Sequence, residues 1–414
     1  MKKFPCDNNG KLKPTGEWRR NFNLAAWANE CRQVEKELKA QRNEEEVMAH
    51  LEKIMWWTTA WWVLGCLMAP FNIVIGAIGI STSIMARWTM IGHHVMHGGY
   101  SEKQGRYHRF NFARGLRNRV MDWLDWMLPE AWNVEHNKLH HYKLGEVEDP
   151  DLVERNMEMI REQRRNGLPA VLVYGQIVAM SAIWKWFYYA PNTLKEFEKS
   201  EMETRGIKKN PVWAHLGTNP ATVLEIIEGI IFKGRFNMAI DLLKITLPFA
   251  IMMFVTIPGF WYMVLGYDAA YNALITMIVG EILTNLHSFA IITPNHAGDD
   301  VYKFDTSVVA KSDEFLLRAV IGSVNFHTGS DFGEAGSFSS DMVDYFHGWL
   351  NYQIEHHMFP DMSMMQYQKA APRIRAICKK HGVPYVQQPV CNRVIKLVKI
   401  MGGDANMLHW DSGE

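Results

Sequence analysis

Apolar positions along the chain gather into long runs separated by charged stretches. The first run, Ile54 to Trp88, has few charges before Arg87. As a single helix it would be about 52 Å long, too long for a bilayer core of about 30 Å. Pro70-Phe71-Asn72 sits near its middle, and proline disfavours helix at the residue before it. The pattern therefore predicts a tight hairpin of two short spans, 51–69 and 72–92. Trp56, Trp57, Trp61 and Trp62 supply the aromatics that favour a membrane interface.

Two further runs, 240–265 and 271–292, read as spans separated near Gly266-Tyr267-Asp268. The run 168–190 is apolar enough to cross but holds Gln176, Ser181 and Lys185, and ends in Trp184-Lys185-Trp186-Phe187-Tyr188-Tyr189. Such an aromatic and basic end suits a helix lying in the interface. Between the runs the chain is polar. Residues 1–50 are charged, and Asn29 to His50 reads as an exposed, solvated helix. Residues 391–414 read as a C-terminal tail.

Three histidine clusters interrupt the polar stretches. They are His93-His94-Val95-Met96-His97, His136-Asn137-Lys138-Leu139-His140-His141, and His356-His357 within Gln353-Ile354-Glu355-His356-His357. His93 and His97 are four apart, one helical turn on one face, with His94 pointing away. His136 and His140 repeat the spacing, and His141 adjoins them. An isolated pair of this kind is more often ordinary surface or capping histidine; three clusters together are not. The candidate ligands His93, His97, His136, His140, His141, His356 and His357 are too many imidazoles for one metal and suit two. His296, just after the last span, is the favoured eighth. An imidazole shell is compatible with Fe, Cu, Zn or Ni. Gln353, on the same helical face as His356 and His357, is a weak ligand or a hydrogen-bond partner. Asp149 and Asp151 are candidates to accept the outer N–H of a ligand, although an acidic loop capping the next helix is as good a reading. His287, inside an apolar run, either ligates or bonds a carbonyl. His347 reads either as a partner behind a ligand or as structural. His50, His108, His215, His327, His381 and His409 have no companion at ligand spacing. Glu281, inside a span, is an ionisable group that marks function or a helix-to-helix contact.

Topology then constrains the clusters. If the second and third share a site, an even number of spans separates them. Three apolar runs lie between, so one does not cross, and 168–190 is the one. Four spans result, with both termini on one side. The proposed outer turns, at Pro70 and at Gly266-Tyr267-Asp268, carry no Lys or Arg, whereas the N-terminal segment and the loops after Trp88 are rich in them. By the positive-inside rule the clusters face the cytoplasm.

Composition narrows this picture further. Lys+Arg and Asp+Glu are equal at 44, and no basic stripe suggests a nucleic-acid partner. Sixteen Trp and 25 Met suit an interfacial, apolar-channel protein. Cys6, Cys31, Cys66, Cys378 and Cys391 form no C-x-x-C pair, which argues against zinc ribbons and iron–sulfur ligation and suits a reducing compartment. The opening residues lack an apolar signal core.

With these three boxes placed after the second and fourth spans, the chain resembles the membrane fatty acid desaturase superfamily over roughly 50–390. The Gln353-Ile354-Glu355-His356-His357 form of the last box is similar to the front-end acyl-lipid desaturases. Two features depart from those enzymes: no His-Pro-Gly-Gly haem motif occurs, and His94 stands where Asp often follows the first histidine. The resemblance implies a di-iron centre, O2 as co-substrate, and electrons from a separate ferredoxin or small haem cytochrome. The expectation is an all-α integral membrane protein with a cytoplasmic helical cap over a histidine-rich di-metal site. Its expected function is desaturation of an acyl-lipid or acyl-thioester substrate. Met and Trp residues of 54–92 and 240–292 are candidates for the wall of an acyl tunnel. The competing readings are a hydroxylase or other monooxygenase on the same scaffold, and a non-redox zinc-binding or scaffold protein.

Overall fold

The computed structural model describes residues 18, 22–100, 105–204, 206, 216, 219–234 and 236–410. Cys6, His215 and residues 1–7 lie outside the described residues.

Two helices open the chain. α1 (Leu24–Ala40) is capped by Asn23, whose side chain accepts from Ala26 N at 3.0 Å. α2 (Glu44–Met68) is capped by Asn43 and carries Glu44, Glu45 and Glu46 in its first turn, where carboxylates complement the helix dipole. The expected exposed helix over 29–50 is therefore corrected. The chain breaks before Asn43, and α1 buries Trp27, Cys31, Val34 and Leu38. Their three- and four-residue spacing is an apolar stripe that the surrounding charges obscured.

A short turn leads from α2 into α3 (Ile73–Ala86), whose cap is Asn72 on Ile75 N at 3.0 Å. α3 continues through the π-helical turn Arg87–Gly92 into His93–His97. The whole run Ile73–His97 is long and apolar enough to cross a membrane, as are Phe236–Leu265 and Tyr267–His296. Ala170–Ser181 and Lys185–Thr204 pass the same test as a pair bent by 77°. α2, expected to span over 51–69, is not among the helices that pass.

Glycines let these helices touch backbone to backbone. A Cβ on Gly79 would lie 2.7 Å from Gly65 Cα, and one on Gly76 would lie 2.7 Å from Thr276 Cγ2. Near the turn, Thr276 donates to Ala69 O at 3.0 Å and Asn272 to Pro70 O at 3.1 Å. The bent pair docks on the helix Tyr267–Ile292 through polar bonds. Trp184 Nε1 donates to Asn285 O at 2.9 Å, and Lys185 Nζ stands 3.3 Å from Glu281. Glu281 thus makes a helix-to-helix ion pair.

Near the C terminus the mostly helical chain adds one small sheet and a further helix. The chain is not wholly helical: β1 (Tyr302–Phe304) pairs in parallel with β2 (Leu408–Trp410). The C-terminal tail proposed from 391 begins within a helix. Val390–Gly402 is a helix whose fully buried Arg393 donates to Asp300 at 2.6 Å and Ala297 O at 3.0 Å. That clamps the segment directly after His296. The apolar face of this helix follows a 3.6-residue period, but its basic residues had masked it.

Gly79→Leu should force α2 and α3 apart, because the obstructing atoms are backbone. Overpacking of this kind costs about 1–3 kcal/mol. Thermal unfolding in detergent should show a lowered midpoint, and an unchanged one would mean the helices do not pack as described.

Candidate metal centre

The histidine clusters are delivered by four separate elements. His93 and His97 end the run from α3, and His296 ends the long helix. His136 and His140 lie in the π-helical segment Asn133–His140, directly followed by His141. His356 and His357 sit in the short helix Gln353–Met358. That helix is pinned from outside: Ile354 N donates to Asn325 Oδ1 at 3.0 Å, and Glu355 accepts from Asn325 and Tyr385, each at 2.8 Å. Just before it, Tyr352 donates to buried Asp344 at 2.9 Å.

These elements bring eight histidines together in two groups. His93, His97, His136, His141 and His356 form the first, and His140, His296 and His357 the second, with ligand atoms within 4.8 Å of one another in each. His136, His140 and Asp151 form a further such set. The partition differs from an α-helical reading of the second cluster. His136 joins His141, five residues on, while His140 goes to the other group. A π-helical turn, one residue wider than an α turn, accounts for that change of facing.

Outer hydrogen bonds fix the tautomers. Carbonyls only accept, so His93 Nδ1–H donates to Thr89 O (3.1 Å) and His296 Nδ1–H to Gly322 O (3.3 Å). His140 Nδ1–H donates to Asp149 at 2.9 Å. Tyr367 gives its proton to Phe359 O (2.9 Å), so at 3.1 Å His356 Nδ1 must be the donor to Tyr367. In each ring the Nε2 lone pair is left facing inward. There the nitrogens crowd: His93 Nε2 is 2.9 Å from His356 Nε2 and 3.1 Å from His136 Nε2, and His357 Nε2 is 3.2 Å from His296 Nε2. His97 Nε2 is buried with no hydrogen-bond partner among the described residues. Facing lone pairs repel unless a cation lies between them. Metal–imidazole bonds of about 2.0–2.1 Å place adjacent ligand nitrogens about 3 Å apart, which is the spacing found. The donor set therefore fits metal ions.

Burial sets most of the electrostatics. It drives His136, His141, His356 and His357 well below the usual imidazole range, which keeps them neutral and able to ligate. His140 goes the other way. Burial opposes its charge, but Asp149 overcomes that and raises it. Burial also pushes Asp151 up to about 6, against the pull of His140.

The remaining candidates are sorted by position. Asp149 bonds His140 directly, while Asp151 stands 3.9 Å from the same nitrogen. Gln353 is buried and lines the same cavity as His296. His287 is set apart, with Nε2 3.1 Å from Phe346 O; it takes the carbonyl-bonded role rather than the ligand role. His94 bonds Met90 O (2.8 Å) and His347 bonds Val343 O (2.7 Å). Thr89, Gly322 and Tyr367 were not singled out in the sequence. Thr89 lies one helical turn before His93, a readable signal. Gly322 and Tyr367 reach the site only through the fold.

Beside the histidines lies a cavity of about 490 Å³, reached by His93, His136, His140, His296 and Gln353. The expected wall from Met and Trp of 54–92 and 240–292 is corrected. Trp88 lines the cavity, but the other Met and Trp residues there are Trp132, Met157, Met159, Met180, Trp184 and Met401. The bent helix pair and the C-terminal helix share the wall with the spans, which contribute Trp88, Thr89, Phe289 and Ile292.

Comparison with known proteins agrees with this geometry. The chain is 37% identical over 65 residues to fatty acid desaturase 3 of Bos taurus, covering 16% of this chain and 15% of that one. It is 29% identical over 131 residues to the acyl-lipid (9-3)-desaturase of Physcomitrium patens, covering 32% of this chain and 22% of the relative. With the sn-1 linoleoyl-lipid 6-desaturase of Arthrospira platensis it shares 22% identity over 331 residues, 78% of this chain and 72% of that protein. The matches to the Bos taurus and Physcomitrium patens proteins thus span under a quarter of their lengths. No solved structure matches. The family model for fatty acid desaturases matches residues 61–389, and the chain belongs to the fatty acid desaturase family.

Proposed function

We propose that this chain is an O2-dependent fatty-acyl desaturase of a membrane, acting on an acyl-lipid or acyl-thioester with electrons from a separate ferredoxin or small haem cytochrome. The observation that carries the reading is the convergence of eight inward-facing imidazoles beside a 490 Å³ cavity, in a chain of the desaturase family. A cavity of that size lies within the range of about 300–1,000 Å³ for ligand sites. The relatives include acyl-lipid desaturases by name.

His93, His97, His136, His141 and His356 would hold one iron, and His140, His296 and His357 the other. Two irons supply the reduction of O2 and the removal of hydrogen from unactivated methylenes, chemistry beyond a side-chain base. The chain's own residues do the positioning. Thr89 O, Asp149, Gly322 O and Tyr367 each hold one ligand ring in its tautomer. Gln353 lines the cavity beside His296. Trp88, Trp132 and Trp184 give the cavity an apolar wall that suits an acyl chain and excludes water from it.

Four spans, with 168–190 interfacial and the site on the cytoplasmic face, complete the proposal. The absence of Lys and Arg from both proposed outer turns supports that orientation. The 77° bend supports an interfacial or re-entrant course for the 170–204 pair.

Expression in a desaturase-deficient host should yield a fatty acid two hydrogens lighter than its precursor, in the presence of O2 only. A product that gains one oxygen would instead identify a hydroxylase. His140→Ala and His356→Ala should each abolish the product while the protein still inserts. Asp149→Asn should weaken metal retention about 10–100-fold, the usual cost of losing a carboxylate behind a ligand. Metal content after chelator challenge measures this, and wild-type retention would remove Asp149 from the account.

A further inference from the structure

Two of the inward-facing histidines lack what holds the others. The Nδ1 atoms of His141 and His357 are buried with no hydrogen-bond partner among the described residues. The two rings stack, with centroids 4.2 Å apart and planes 19° from parallel. They also belong to different groups, His141 to the set of five and His357 to the set of three. Their Nε2 atoms point into the cluster, 3.3 Å from His136 Nε2 and 3.2 Å from His296 Nε2. Both Nδ1 atoms therefore face the opposite way.

Both rings line a second, small cavity of about 10 Å³. His141, His357, Glu146, Val308, Arg318 and Ala319 line it, and it shares no lining residue with the large cavity. One water needs about 10–15 Å³ and two to four polar partners. Glu146 is almost fully buried. Its carboxylate accepts from Ser307 Oγ (2.9 Å), Val308 N (3.0 Å) and Lys143 Nζ (3.1 Å). Its contact to Arg318 is longer, 3.3 Å. It is thus a fixed acceptor on the cavity wall, with its longest contact toward Arg318, which also binds Glu314 at 2.7 Å.

We infer that one ordered water fills this cavity, accepts the Nδ1–H of His141 and of His357, and donates to Glu146. The water's two lone pairs match the two unmet donors. Glu146 is then a positioning residue for both halves of the centre at once. Through one water it fixes the Nδ1–H tautomer of a ligand in each group and leaves each Nε2 free to bind metal. Asp149, by contrast, serves one ring. The inference rests on the two-metal reading of the cluster.

Ala319→Val tests it, because the added methyl groups occupy the cavity while Glu146 keeps its partners. Metal affinity should fall about 10–100-fold, while the metal-free protein melts as wild type does. A structure of the metal-loaded protein that resolves waters should show one oxygen in the cavity, within hydrogen-bond reach of both Nδ1 atoms and of Glu146. An empty cavity, or an Ala319→Val protein that binds metal as tightly as wild type, overturns the inference. Should that variant fail to fold, the density in the wild-type cavity decides alone. Wild-type protein that takes up no metal at all would overturn the two-metal reading instead, so the two failures are distinguishable.

Discussion

The structure turns on a repulsion that something must relieve. Outer hydrogen bonds commit His93, His296 and His356 to protonated Nδ1 atoms. Their Nε2 lone pairs then face other imidazole nitrogens, at 2.9 Å between His93 and His356 and 3.2 Å between His296 and His357. A protein gains nothing by assembling buried lone pairs, since unmet buried polar atoms are costly. Placing cations among them reverses the sign of the interaction. Much of the fold then reads as a means of imposing that arrangement. The π turns re-aim the first two clusters, Asn325 and Tyr385 grip the third through Glu355, and Arg393 clamps the segment after His296.

The surrounding network explains why such an arrangement is rigid. Each ligand-bearing element is tied to partners remote in sequence. Asn137 donates to Met96 O at 3.1 Å and so joins the first two clusters. His50 of α2 bonds Asp341 at 3.0 Å, and Gln368 donates to both Asp341 (2.8 Å) and Asp344 (2.6 Å), so α2 reaches the support of the third. Rings locked by outer bonds and packing hold their geometry before any metal arrives.

Which parts were legible in the sequence follows from the range of the forces involved. The hairpin at Pro70 was readable because proline and chain length act locally. The clusters were readable because imidazoles at turn spacing are a local chemical signal. The partition of His136, His140 and His141 was not, because it depends on a π turn that no spacing rule anticipates. The cavity wall was misjudged for a related reason. Trp184 and Met401 reach it only because Lys185 meets Glu281 and Arg393 meets Asp300, contacts of more than 90 residues in separation. Helix α1 was taken as solvated because its charges outnumber its apolar stripe, yet that stripe is buried against the rest of the chain.

The central claim is that the eight histidines hold two metal ions. Elemental analysis of the full-length protein, purified from cells in mild detergent, tests it most directly. The account predicts two iron atoms per chain. Zinc at full occupancy with no iron would contradict it and restore the reading of a non-redox membrane protein.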